Sequence, residues 1–307
     1  MKIENPSFEI WLQDSGADGI YRQIERAGRV CYKSESHANE KSARPFVEKM
    51  IKSKHTAMLE HGTVYLFFQE FDNEMPHARR STSPKPWLRY EKNAFSRVVA
   101  KDGKYYVTTN LRVLSENDWM GDLEFLSEPQ TYHERRVTVH FTTQIGTTRE
   151  FNRHRANSMA EQSTRYCNYA KDKFGNEITV NIPVWIAELI KEQDLSTPNY
   201  STEQLPSLFE KVYSGTATKL ENWTFANLAA EKAYMNLTAA GCKPQEARAI
   251  LPLDTNTELV HTAFVSDWKH FFELRSLGVT GVPHPDAKVL AQPLMDEFIQ
   301  LGLIDDE

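Results

Sequence analysis

Cysteine is scarce in this sequence, three in 307 residues. Cys31, Cys167 and Cys242 lie far apart and form no C-x-x-C, which excludes a disulfide framework or a zinc knuckle and leaves free buried thiols as the expectation. Long apolar runs are missing as well. Nothing approaches the roughly 18 residues that cross a bilayer, and the N-terminus "MKIENPSFEIWLQDSG" has no apolar signal core, so a cytoplasmic protein with no membrane partner is expected. Positive charge is in deficit: a net charge of −6 and a pI near 6.0 give no general attraction for nucleic acid, and any phosphate has to be held locally. The glycine cradles that usually hold phosphate, G-x-x-x-x-G-K-[ST] and G-x-G-x-x-G, do not occur, so a nucleotide would have to be gripped by side chains. What remains, 40% hydrophobic and 25% charged residues, is the composition of a globular protein, and the length fits one elaborated domain over 1–307.

Hydrophobic spacing places amphipathic helices at about 19–30 and 41–54. Strand character appears in "GTVYLFF" (62–68) and "RRVTVHF" (135–141), which read as partners in one sheet. The stretch 72–134 between them reads as a β-rich insertion. It opens with a polar, proline-bearing loop of about 15 residues and contains a hairpin turning at Asp102-Gly103. Helix is expected again at 147–155, and as one long element over 203–240 stopped by Gly241. A short helix runs from Pro244 to Arg248 and is ended by Pro252; "TELVHTAFV" is a strand; "DWKHFFELR" is a helix capped by Ser266; the last helix follows "HPDAK" and reaches about 301.

The chemistry concentrates in "REFNRHRANSMAEQSTRYCNY", where four arginines (149, 153, 155, 165), His154, Glu150 and Glu161 fall within 17 residues. On a helix, Arg149, Glu150, Arg153 and His154 would share one face, which is either a solvated ion-pair ladder or an anion grip. The residues that follow, 156–165, read as a loop of donors and acceptors, and forked guanidiniums beside hydroxyls suit a phosphate or planar carbonyl edges. A second cluster, His55, Glu60 and His61 in "HTAMLEH", lacks the order of a zinc motif, and no metal is expected. A third feature is the pair Arg248 and Arg275; Arg275, beside aromatic and apolar residues, is expected to be partly buried and to need a partner, and a structural ion pair with Glu246 or Glu273 is the plain reading. Cys167 has no local histidine to activate it as a nucleophile.

These residues, in this order, resemble the flavin-dependent thymidylate synthases, the ThyX family, whose signature is R-H-R-x-x-S-x-N-E-x-S-x-R-Y. The chain supplies Arg153, His154, Arg155, Ser158, Glu161, Ser163, Arg165 and Tyr166, with Ala160 in place of the asparagine. "GRVCYKSE", "EARAILP", "TELVHTA", "HFFELR" and "HPDAKVLAQPLMDEF" extend the likeness over about 20–70 and 135–302. The resemblance implies an α/β fold of the α+β type, a small mostly antiparallel sheet packed with long helices, in a homotetramer with shared active sites. It implies a flavin adenine dinucleotide site at His55, Glu60, Arg153, His154, Arg155 and Glu161, to which His270 could donate. Deoxyuridine monophosphate would be held by Glu150, Arg153, Ser163, Thr164, Arg165, Arg248 and Arg275, with Arg275 as the catalytic residue that polarises the pyrimidine. NADPH and methylenetetrahydrofolate would be the co-substrates of a reductive methylation to thymidylate. Ala57, Phe264 and His270 also depart from family residues near the flavin, and the insertion and "SLGVTGVP" have no counterpart in the compact form of the family. Two other readings stay open: a related pyrimidine nucleotide methylase or hydroxymethylase, and a non-catalytic nucleotide-binding or RNA-binding protein.

Overall fold

In the computed structural model, which describes residues 1–70, 85–193 and 200–305, the chain opens with two short strands, β1 (Lys2–Glu4) and β2 (Ser7–Trp11). Helix α1 (Gly16–Val30) follows and buries Ile20, Ile24 and Ala27, spaced four and three apart: Ile20 and Ile24 pack in one cluster with Val47 of α2 (Ala43–Lys52), and Ala27 in another with Trp11, Ala160 and Val260. Gly28 permits the approach of these two helices: a Cβ there would meet the Phe46 ring at 2.6 Å. A 3-10 segment, Thr56–His61, leads into β3 (Thr63–Gln69). After α3 (Leu88–Glu91) come β4 (Arg97–Lys101) and β5 (Lys104–Asn110), joined through Asp102 (φ 51°) and Gly103 (φ 69°), the left-handed pair that a two-residue hairpin requires. Asn110 caps α4 (Leu111–Glu116) by accepting from Val113 N.

Strand β6 (Arg136–Gln144) runs directly into α5 (Ile145–Phe151), and β7 (Ser158–Glu161) and β8 (Thr179–Asn181) follow. Helices α6 (Val184–Glu192), α7 (Leu205–Ser214), α8 (Lys219–Ala239) and the short α9 (Pro244–Ala247) lead to β9 (Asn256–Phe264), then α10 (Val265–Phe272) and α11 (Pro285–Gln300). Among the described residues the strands make three small sheets, antiparallel except for β1 with β8: a four-stranded sheet in the order β2-β6-β9-β7, a three-stranded sheet β3-β5-β4, and the pair β1-β8. The fold is therefore mixed α/β with small, mostly antiparallel sheets and packed helices.

The two faces of the four-stranded sheet differ because alternate residues of a strand point to opposite sides. Val139, Phe141 and Leu259 face α5, α10 and α11, and with Phe151, Trp268 and Phe271 they form an aromatic core from which water is excluded. Burial of each such side chain contributes roughly 1.5–3 kcal/mol. On the opposite face, Thr138 and Thr262 share a hydrogen bond of 2.8 Å and Thr262 also meets His61 Nδ1 at 2.8 Å, so this seam is polar. The three-stranded sheet packs in a second core, in which Leu66, Phe68 and Val107 meet Trp87, Tyr90 and Leu114 of the insertion together with Ile20 and Ile24 of α1 and Val47 of α2.

Several expectations are corrected by this arrangement. The 62–68 and 135–141 strands are not partners, because β6 has both edges filled by β2 and β9 while β3 pairs with β5; period-two alternation marks a strand but not its neighbour. The 203–240 helix is two helices: Gly215 in the left-handed conformation ends α7, and the Thr218–Glu221 capping box starts α8. Ser266 is not a cap; it lies within the first turn of α10 and donates to Glu134 at 2.5 Å. The 147–155 helix stops at Phe151, and part of the expected 156–165 loop is strand β7, paired with β9. Of the three free cysteines only Cys167 is fully buried. Most of the opening loop of the insertion lies outside the described residues.

Candidate active site

Because α5 ends at Phe151, residues 152–155 form a turn instead of a helical face. Arg153 and Arg155 project to solvent while His154 turns inward, 7% exposed, with its ring 5.0 Å from that of Phe271 and 5.9 Å from that of His270. Among the described residues, neither Arg153 nor Arg155 nor the neighbouring Arg149 has an acidic partner within ion-pair distance.

Arg275 enters from the other side, on a π-helical turn, Glu273–Leu277, that continues α10. An extra residue in the turn rotates the side chain off the regular helical face, a distortion found often at functional sites. Its guanidinium is clamped: Nη1 donates to Glu150 Oε2 at 2.6 Å, Nη2 to the Glu150 carbonyl at 2.6 Å and Nε to His154 Nε2 at 3.2 Å. Glu150 is thus the partner of Arg275; Glu273 pairs with His270 and Glu246 bonds the Lys243 backbone. Burial, reinforced by the charges of Arg275 and His270, pulls the His154 pKa down to about 4. The imidazole is neutral at pH 7, so Nε2 is free to accept and the proton is assigned to Nδ1 from this bonding.

A second grouping lies beyond β7. Arg248 Nη1 donates to Thr164 Oγ1 at 3.1 Å, the Ser163 amide donates to the Cys31 carbonyl at 2.9 Å, and Arg165 is exposed over the Tyr166 ring. Glu161 is tied inward by Thr148 Oγ1 at 2.8 Å and Thr257 Oγ1 at 3.3 Å, and burial raises its pKa. Asn152 Nδ2, beside the arginine turn, also reaches it at 3.5 Å.

The third grouping is the 3-10 segment packed beside β7. His55 is exposed; Glu60 is partly buried, its carboxylate ion-paired with Arg112 and its carbonyl accepting from Arg136 at 3.0 Å. Arg136 Nη2 also reaches Ser158 Oγ at 3.2 Å, joining the segment to β7. The chain therefore brings Glu150, His154, Arg275 and His270 together, and separately Thr164 with Arg248. No hydrogen bond among the described residues joins these two groups directly. Residues that the sequence did not single out are Arg112 and Arg136, the Asn157–His261 contact at 2.6 Å, and Arg97 over Phe264. Arg136 at the start of a β-branched run was the one available signal, since an arginine that begins a core strand has to be accommodated somewhere.

A family model described as "Thymidylate synthase complementing protein", Thy1, matches residues 129–301, more than half of the chain. The chain belongs to the Thy1 family. The match begins late in the insertion and takes in α5, the arginine turn, β7, β9 and Arg275, most of the residues that carried the ThyX resemblance; the likeness over 20–70 lies outside it. No curated protein matches this Thy1 chain. Among solved structures, a UMP/dUMP methylase PolB from Streptomyces cacaoi bound with 5-Br dUMP is similar at a TM-score of 0.41 and 15% identity, covering 98% of this chain and 93% of that one. The same protein bound with 5-Br UMP gives 0.40 and 15%, with 98% and 92% covered. Likeness at that level carries no argument about activity. Among the described residues no helix of this Thy1 protein is long and apolar enough to cross a membrane.

Proposed function

We propose that this Thy1-family protein is a flavin-dependent thymidylate synthase that methylates deoxyuridine monophosphate at C5. The observation that carries the reading is the clamp on Arg275, a partly buried guanidinium held by Glu150 and neutral His154 at the signature turn. A guanidinium fixed in this way is preorganised to stabilise negative charge on a pyrimidine as its N3 proton leaves, which makes C5 nucleophilic without a cysteine adding to the ring. Burial keeps the Cys167 thiol above its ordinary pKa, which suits a mechanism with no thiolate.

The side chains present fit a phosphate-bearing aromatic cofactor. Arg153 and Arg155 offer exposed guanidiniums with no acid partner, and His154 and His270 bring two imidazoles to the same turn. We assign to flavin adenine dinucleotide His55, Glu60, Arg153, His154, Arg155, Glu161 and His270, and to the nucleotide Glu150, Arg153, Ser163, Thr164, Arg165, Arg248 and Arg275. The chemistry supplied by bound flavin is hydride donation, after reduction by NADPH, to the one-carbon unit delivered from methylenetetrahydrofolate. A homotetramer with shared active sites, as the ThyX resemblance implies, is part of this reading. We read the chain as one domain with the insertion at about 72–134, working in the cytoplasm.

A second reading keeps the fold and changes the product to another methylated or hydroxymethylated pyrimidine nucleotide. It is favoured by Phe264, which departs from the family residue near the flavin and lies 4.5 Å beneath the Arg97 guanidinium of the insertion. The test is the mass of the nucleotide after anaerobic incubation with flavin, NADPH, methylenetetrahydrofolate and either deoxyuridine or uridine monophosphate. Thymidylate is expected from the deoxynucleotide. A product heavier by one oxygen, or turnover of uridine monophosphate alone, would replace the first reading with the second.

A further inference from the structure

Arg136 is a half-buried arginine of a core strand that makes no ion pair among the described residues. Its guanidinium bonds only neutral oxygens: the Glu60 carbonyl at 3.0 Å, Thr63 Oγ1 at 3.3 Å and Ser158 Oγ at 3.2 Å. Its Nε is shielded from solvent and has no partner. The nearby carboxylates are committed elsewhere, Glu60 to Arg112, and Glu134 and Asp267 to Arg97 at 3.6 and 3.9 Å. Burial lowers the Arg136 pKa to about 10 against the pull of Tyr65, Glu60 and Asp267, which favour its charge, and Arg97 opposes it slightly, so it stays charged at neutral pH. Removing a charge from water without a partner costs several kcal/mol, and the Phe264 ring, 5.3 Å from the guanidinium, offsets only part of that.

The same arginine lines a cavity of about 210 Å³ between the insertion and the four-stranded sheet. Arg97, Phe95 and Asn110 form its insertion side; Ser158 and Phe264 form the sheet side, and the Asp267 carboxylate, 3.9 Å from the Arg97 guanidinium, also lines it. Ala156, also in the wall, follows Arg155 directly, so the cavity adjoins the arginine turn. The Asp267 carboxylate offsets part of the repulsion between the two guanidiniums, but burial raises its pKa and it is one acid facing two cations, so the space keeps an excess of positive charge that a ligand anion would balance.

We propose that this cavity is an oxyanion subsite built by the insertion, in which Arg136 and Arg97 bind a phosphate or carboxylate group of a small ligand. Phe264 stands at a family position near the flavin, so the subsite adjoins that site; the residues assigned above to nucleotide or flavin do not line it, and the subsite stands whether or not the chain methylates. A phosphate could come from a dinucleotide, a nucleoside monophosphate or free phosphate, and a carboxylate from a folate tail. The guanidinium donors are common to all of them.

The test compares full-length wild type with Arg136→Met, Arg136→Lys and Arg97→Gln. Melting temperature is measured in inorganic phosphate against chloride at equal ionic strength, and affinity by calorimetry for flavin adenine dinucleotide, deoxyuridine monophosphate and tetrahydrofolate. Phosphate should stabilise the wild type but not Arg136→Met, and one of the three ligands should bind Arg136→Met roughly tenfold or more weakly, the loss expected for a charge-assisted hydrogen bond. Arg136→Lys should keep part of the affinity. The ligand that weakens names the source; phosphate stabilisation alone names free phosphate. If Arg136→Met does not fold, Arg97→Gln at the rim gives the same readout. Equal phosphate response and equal affinities in wild type and variants would overturn the subsite. Product mass on wild type separates the two proposals: methylation with unaltered variants sinks this one, and Arg136-dependent binding without methylation sinks the other.

Discussion

Arg275 and Arg153 approach one turn of chain and are held in opposite ways. Arg275 is 14% exposed and makes hydrogen bonds to Glu150 and His154, whereas Arg153 is exposed and has no acid within ion-pair distance among the described residues. A guanidinium with its geometry set before substrate arrives loses little on reaction and is suited to stabilising a transition state; one left in solvent can bind an anion but has to be ordered by it. The two should therefore fail differently when removed.

The largest effect is expected from Arg275→Ala. Turnover should fall by roughly 10²–10³-fold, the usual loss for a preorganised donor at developing charge, while bound flavin is retained. Arg275→Lys should not restore it, because a lysine replaces the fork with a single point charge. Anaerobic single-turnover rates with flavin absorbance read both quantities, and wild-type turnover in either variant would erase the distinction between the two arginines.

Acid should act on the clamp and spare the exposed arginines. His61 and His154 have pKa values lowered by burial to about 3 and about 4, and His261 is pushed well below its ordinary 6.5. Below pH 6.5 the unfolded chain takes up protons that these folded imidazoles refuse, so their stability contribution is complete above 6.5 and is lost as pH falls toward 4 or 3. The slope is about 1.4 kcal/mol per pH unit for each histidine. Denaturant midpoints from pH 7 to 4.5 should show this decline, and a flat profile would mean that the histidines are hydrated.

Arg153→Ala and Arg155→Ala should each weaken flavin or nucleotide binding by roughly tenfold, in a salt-dependent way, with unfolding free energy unchanged within about 0.5 kcal/mol. A drop in melting temperature would show them to be structural after all. The smallest effect is expected for His154→Ala on flavin retention: a several-fold weaker cofactor affinity, measured by dialysis, because one neutral donor is lost and Arg275 loses one of its three acceptors.

Much of the secondary structure was legible because it rests on local rules. Ile20, Ile24 and Ala27 spell out α1, and Asp102-Gly103 specifies the hairpin through its left-handed backbone. Gly215 and Thr218 carry the break between α7 and α8 in their local chemistry, while the apolar spacing runs on across it. The candidate site was partly legible: "RHR" and "FFELR" mark the residues, but nothing in the spacing of Glu150 and Arg275, 125 positions apart, says that they touch.

The sequence by itself determined the residue types at the site, the absence of a glycine cradle, and the strands and helices that follow from period and turn chemistry. Tertiary structure alone decided that β6 lies between β2 and β9, that His154 turns inward while its arginine neighbours stay out, and that Arg136 faces a cavity made by the insertion. The reason is physical: period and capping are local energies written into adjacent residues, whereas strand partners, burial and the environment of a charge depend on which distant surfaces close over them.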